Sequence, residues 1–227
     1  MTPNELLALF RTYVDEPDQT FVTDASAQAA LQQGYREFRN KVISMNPSTY
    51  QTSVTLTLSN AREYDLGLGS NPIRILGTSV PATSNRLIML LGVRHVDPGS
   101  GETLRMLKGL PSRRSLQSGP NGYFLDGSVL RFPDAQTGSF AVDYVPETPA
   151  IPFASAATVV FDDMTDWHDL IVLFATKIYM IRDGGENPML LAQLQARQAD
   201  FANFICERDV GAPMYVNEVY NALDEAW

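Results

Sequence analysis

The sequence predicts an α+β fold: a helical bundle from the N- and C-terminal segments, with an inserted antiparallel β module. Three observations predict it. Apolar residues recur at helical spacing through residues 1–49, the period drops to two over 50–147, and helical spacing returns over 148–227. Because amphipathic helices cannot bury their stripes alone, the outer segments are expected to pack together as one discontinuous domain, 1–49 with 148–227.

The first helix opens on Thr2, Pro3 and Glu5, placed as N-cap, N1 and N3 of a capping box. Leu6, Leu7, Leu9, Phe10, Tyr13 and Val14 form its apolar stripe, and DEPDQT (15–20) ends it. A second helix starts near Thr23 or Asp24 and runs to about Met45. Leu31, Tyr35, Phe38, Val42 and Met45 share one of its faces, and Asn46-Pro47 closes it.

In QTSVTLTL, Val54, Leu56 and Leu58 alternate with Ser53, Thr55 and Thr57, the pattern of a half-buried strand. Further strands are expected near 63–66, 73–80, 87–97, 122–125, 129–132 and 139–145, with PDAQTG (133–138) as a hairpin connection. Residues 98–121 are poorly patterned and read as a long loop. PETPAIP (146–152), stiffened by three prolines, leads out of the module. A third helix carries Trp167, Leu170, Ile171, Phe174, Ile178 and Ile181 and stops at Gly184-Gly185. A fourth spans about 188–208, and a short terminal helix about 214–226.

The 227 residues are 44% hydrophobic and 19% charged, enough for a sizeable core. No apolar run reaches the roughly 18 to 20 residues of a membrane span, and the N-terminus does not read as a signal peptide. The single cysteine, Cys206, makes no intrachain disulfide and is expected to act as a small hydrophobe. Net charge is −9, concentrated at residues 151–227 with 12 acids against 4 bases. That sign opposes a tight grip on phosphates.

Catalytic patterns are absent: His95 and His168 have no companions at metal-ligand spacing, and CxxC, HExxH and GxSxG do not occur. DLGLGSNP (65–72) lacks the lysine and following helix of a phosphate loop and reads as a turn. Asp162, Asp163, Asp166 and Asp169 precede or open a helix, where acids complement its dipole without any metal. Two segments remain as contact candidates. Arg105, Lys108, Arg113 and Arg114 form a basic cluster, read either as a solvated loop or as an electrostatic contact with an acidic surface or DNA. Tyr215, Val219, Leu223 and Trp227 recur every four residues with Val216 and Tyr220 beside them, and a helix that short must dock on its own bundle or on a partner.

Three stretches carry a resemblance. EPDQTFVTDASAQAALQQGYREFR resembles the opening of tailed-phage head-to-tail adaptor (connector) proteins, with an acidic loop, an aspartate at the start of a long helix and a YREF-like core. YFLDGSVLRFPDAQTGSFAVDYVPETPAIP is similar to the adaptors of short-tailed phages, and FDDMTDWHDLIVLFATKIYMIRDGGENPMLLAQLQARQADF to their second helical half. The resemblance implies a structural virion protein and not an enzyme: a dodecameric ring beneath the portal, extending the DNA channel and offering a platform to tail or nozzle proteins. It implies a place in the virion neck after assembly in the host cytoplasm, transient passage of double-stranded DNA, no membrane and no cofactor. Tyr215, Val219, Tyr220, Leu223 and Trp227 become the portal-docking candidates. The alternative is a tail-associated module whose β domain binds a ligand on a helical scaffold.

Overall fold

The computed structural model of the chain describes residues 1–15, 22–66, 73–74, 85–110, 122–127, 129–153, 161–182 and 187–208. The chain divides into two compact units, Met1–Met45 with Ile151–Trp227, and Asn46–Ala150.

In the first unit, helix α1 (Pro3–Tyr13) begins with the reciprocal capping box: Glu5 N donates to Thr2 Oγ1 at 3.3 Å and Thr2 N to Glu5 Oε2 at 2.7 Å. Helix α2 (Asp24–Met45) is capped by Thr23, whose Oγ1 accepts from Ser26 N, and an Arg11–Asp24 ion pair of 2.6 Å ties it to α1. Helices α3 (His168–Arg182) and α4 (Pro188–Arg208) complete the unit. Asn187 Oδ1 accepts from the amides of Met189 and Leu190, giving α4 a capped first turn. Leu6, Phe10, Leu31, Phe38, Val42, Ile171 and Phe201 are buried here. At Gly34 of α2 a Cβ would lie 2.4 Å from the Ile171 carbonyl oxygen and 2.8 Å from the Ala175 amide nitrogen. Only glycine lets the two backbones come this close.

The second unit starts with a 3-10 turn, Pro47–Tyr50, and holds β1 (Thr52–Asp65), β2 (Ile73–Arg74), β3 (Asn85–Val96), β4 (Thr103–Gly109), β5 (Gly122–Asp126) and β6 (Val129–Pro146). The sheet order is β1-β6-β5-β4-β3-β2, and β6 also pairs with β3. Strands β3, β4, β5 and β6 therefore close on one another as a four-strand barrel, and the picture of a helical bundle carrying an antiparallel insertion does not hold. Nor is the module purely antiparallel, since β2–β3 and β4–β5 are parallel pairs. Period-two patterning identifies strands but carries no information on which strands pair or whether the sheet closes. Leu56, Leu66, Leu87, Val93, Leu130, Phe132, Phe140, Val142 and Tyr144 fill the interior.

Two further expectations are corrected. The segment 133–138 is no hairpin, because β6 runs through it. Arg131 pairs with Glu63 and Gln136 with Ala61, so residues 132–135 bulge opposite Arg62 alone, and Pro133 falls where no regular register is kept. Just beyond, Gly138 pairs with Leu58 and the extra residue lies in β1, where Asn60 takes φ 51°. Residues 103–109, expected within a loop, are β4. Leu104 and Met106 point outward and Leu107 inward, so both faces carry apolar residues and the alternation is lost.

Candidate functional site

Arg105 and Lys108 both sit on β4. Their three-residue separation puts them on opposite faces of the strand, so they do not form one basic patch. Arg105 is half-buried and donates from Nη2 to Gln136 Oε1 at 3.2 Å. Gln136 is itself buried, and its Nε2 donates to the Asp134 carbonyl. Lys108 is exposed, in register with Gly122 of β5. Arg113 and Arg114 lie outside the described residues, as do Tyr215, Val219, Tyr220, Leu223 and Trp227.

Sequence reading missed a polar spine on the outside of the barrel. Asp143 of β6 is buried, and Arg94 of β3 reaches it with two hydrogen bonds, Nε to Oδ2 at 2.7 Å and Nη2 to Oδ1 at 2.9 Å. Ser53 of β1 donates to the same carboxylate, and Arg94 Nη1 donates to Thr103 Oγ1. The hydrogen bond to Asp143 raises the Arg94 pKa above its ordinary value. Asp143 is in register with both Ser53 and Gly92, and the glycine has no side chain to stand between Arg94 and the carboxylate. A second exposed network joins Arg131 to Glu63 and to Asp126, at 3.1 Å, across β1, β6 and β5.

His95 stacks on its cross-strand partner Phe140 with ring centroids 4.8 Å apart, and a Cβ on Gly138 would lie 2.7 Å from its Nε2. It is packed into the barrel wall. His168, fully buried in the helical unit, stacks on Phe161 at 4.8 Å and has Nδ1 3.2 Å from the Met1 carbonyl oxygen. Burial first, then the Met1 ammonium, lowers its pKa below the ordinary 6.5.

Of the four acids before and in the start of α3, Asp162 and Asp169 have side-chain partners. Asp162 is buried and accepts from Tyr35 Oη at 2.9 Å and from Met164 N at 2.8 Å. Burial first, then the Asp162 charge, raises the Tyr35 pKa. Asp169 holds Arg197 at 2.6 Å (Nε to Oδ2), Arg197 also donates to the Asp166 carbonyl, and its guanidinium lies 4.3 Å over the Trp167 ring. Asp163 is exposed. Among the described residues, no group of three or more His, Cys, Asp or Glu side chains could hold a metal ion.

A groove of about 410 Å³ is lined by Ala25, Ser26, Ala29, Ala30 and Gln33 of α2 and by Ile178 and Tyr179 of α3. Its walls can offer contact area but little acid–base chemistry. Large apolar side chains are exposed elsewhere: Ile88 and Met89 on β3, Leu104 and Met106 on β4, Ile181 at the end of α3 and Met189 at the start of α4. Among the described residues, no helix is long and apolar enough to cross a membrane. No family model matches the chain, and no curated protein matches it.

Proposed function

We propose that this chain is a structural, non-enzymatic virion subunit: a head-to-tail adaptor that forms a ring beneath the portal, extends the DNA channel and provides the tail attachment platform. The family assignment rests on the sequence resemblance. The observation that carries the assembly reading is the set of bare apolar side chains, with Leu104 and Met106 59% and 62% exposed on a strand and Met189 83% exposed on a helix. Leu104 and Met106 lie two residues apart on β4, and neighbouring apolar side chains left open to solvent support a surface that associates. A net charge of −9 suits a conduit that lets DNA slide past.

The ligand-binding alternative has less support. The described barrel interior is occupied by its own side chains, and the groove described above belongs to the helical unit.

Light scattering coupled to size-exclusion chromatography, with and without the cognate portal, tests the reading. The expected result is a ring-sized species, formed alone or on the portal. A strict monomer that ignores the portal rules the adaptor out. Deleting residues 214–227 is expected to leave a folded chain that no longer docks, and unchanged docking removes that segment from the portal contact.

A further inference from the structure

The geometry points to an antiparallel pairing of β1 with β1 of a second copy, centred on Leu56, which makes the unassembled chain a two-fold dimer. The contact goes beyond the ring reading above and stands without it, since a two-fold contact closes at two copies and cannot propagate around a ring. β1 ends the sheet order and pairs with β6 along one side; among the described residues, no strand pairs with its other side. Alternate residues of a strand turn their amide and carbonyl away from a given neighbour, so this side presents a row of backbone donors and acceptors. Such edges are ordinarily guarded by charge, by proline or by being very short. Residues 52–60, TSVTLTLSN, contain no charged residue, proline or glycine. An edge this long and uncharged is a template for another strand. Thr55 and Thr57 are exposed on the outer face, and their partners on β6, Ala141 and Ser139, are too small to shade them.

The edge itself selects a second copy as its occupant, because it reads nearly the same in both directions about Leu56. In an antiparallel pair centred there, Leu56 meets Leu56, Thr55 meets Thr57, Val54 meets Leu58 and Ser53 meets Ser59. Like meets like at every step, and hydroxyl pairs of this kind stabilise a sheet. The faces match as well. Ser53, Thr55, Thr57 and Ser59 are exposed, whereas Leu56 and Leu58 are buried in the module's own core, so the joined sheet keeps one hydroxyl face and one aliphatic face. The ends of the edge impose the same centre. A 3-10 turn, Pro47–Tyr50, precedes Thr52, and at the far end register with β6 shifts after Leu58 and Asn60 takes φ 51°. The regular stretch between these limits has its middle at Leu56. A slip of one residue would turn the second copy's leucine face to the opposite side of the joined sheet.

The test is sedimentation velocity on the full-length chain without portal, where the native protein is expected to form a two-copy species. Two double variants probe the register, each checked for folding by circular dichroism and thermal melting. Both positions are exposed, so both variants are expected to fold. Thr55→Asp with Thr57→Asp sets carboxylate against carboxylate in both symmetric pairs. It is expected to associate at least about tenfold more weakly than the native chain. Thr55→Asp with Thr57→Lys replaces the same two residues but sets carboxylate against ammonium in both pairs, and is expected to keep the dimer. A native chain that stays monomeric up to its highest soluble concentration, or that assembles past two copies, overturns the contact. So does undiminished dimerisation of the acidic variant, and so does an equal loss in the mixed-charge variant, which would mean a parallel pairing or another surface. A native monomer that docks on the portal removes the contact and leaves the adaptor reading standing. A native dimer that behaves as expected in both variants but ignores the portal removes the adaptor reading and leaves the contact standing.

Discussion

Arg94 and Asp143 form a two-pronged ion pair across β3 and β6, with Nε–Oδ2 and Nη2–Oδ1 distances of 2.7 and 2.9 Å, and Asp143 is only 6% exposed. Asp143→Asn removes the charge that Arg94 is placed to meet. Because Arg94 is partly open to water, the expected loss is about 2–3 kcal/mol, below the cost of breaking a fully buried pair. Urea denaturation followed by circular dichroism measures it. The double replacement Arg94→Met with Asp143→Leu is expected to be less damaging than either single change, since neither charge is then stranded.

Gly34→Ala sets two effects against each other. Alanine is about 1 kcal/mol better than glycine within a helix, yet its Cβ would lie 2.4 Å from the Ile171 carbonyl oxygen. Backbone cannot yield as a flexible side chain can, so the clash wins. The expected net destabilisation is about 2 kcal/mol or more, read as a lower melting temperature. An unchanged midpoint would mean that α2 and α3 stand further apart.

His168 makes stability depend on pH in a defined direction. Its folded pKa lies below the ordinary 6.5, so the unfolded chain takes up a proton that the folded chain resists. The contribution is fully present above about pH 6.5 and is lost as pH falls toward the folded value. Denaturation midpoints at pH 7.5 and 5.5 are expected to differ more for the native chain than for His168→Gln. Equal differences would assign the acid sensitivity to other groups.

Arg197→Lys keeps the charge but loses the planar group that lies over Trp167 while bonding Asp169. A loss of about 1 kcal/mol is expected, with Arg197→Ala worse and a shift in Trp167 fluorescence in both. Full rescue by lysine would show that charge alone matters at this position.

Local signals were legible in the sequence wherever chemistry acts over a few residues. Thr2 and Glu5 cap α1, and the stripe through Leu31, Tyr35, Phe38 and Val42 faces inward on α2. Nonlocal relations were not legible. Nothing in FPDAQTGSF announces that β6 runs on through a proline and a glycine, because β6 itself bulges around Pro133 and β1 absorbs the shift near Gly138 with Asn60. β4 was hidden because Leu104 and Met106 are apolar on the outer face. Arg105 and Lys108 look like one basic cluster along the chain, but strand alternation separates them. Arg94, Asp143 and Ser53 come together only through register, which no spacing in the sequence encodes.

Strand β6 is paired with β1, β3 and β5, yet it is the last strand of its unit to leave the ribosome. Every strand before it emerges without the partner that organises the sheet. Thr52 must find Tyr144, and Leu90 must find that same residue from the other side. The barrel therefore cannot close in stages as hairpins form. It waits for residues 129–146 and then condenses in one cooperative event, slowed by the long separations of its contacts. Until that moment β1, with Val54, Leu56 and Leu58, and β4, with its bare methionine, are exposed together, and this interval is when the nascent chain is most open to aggregation.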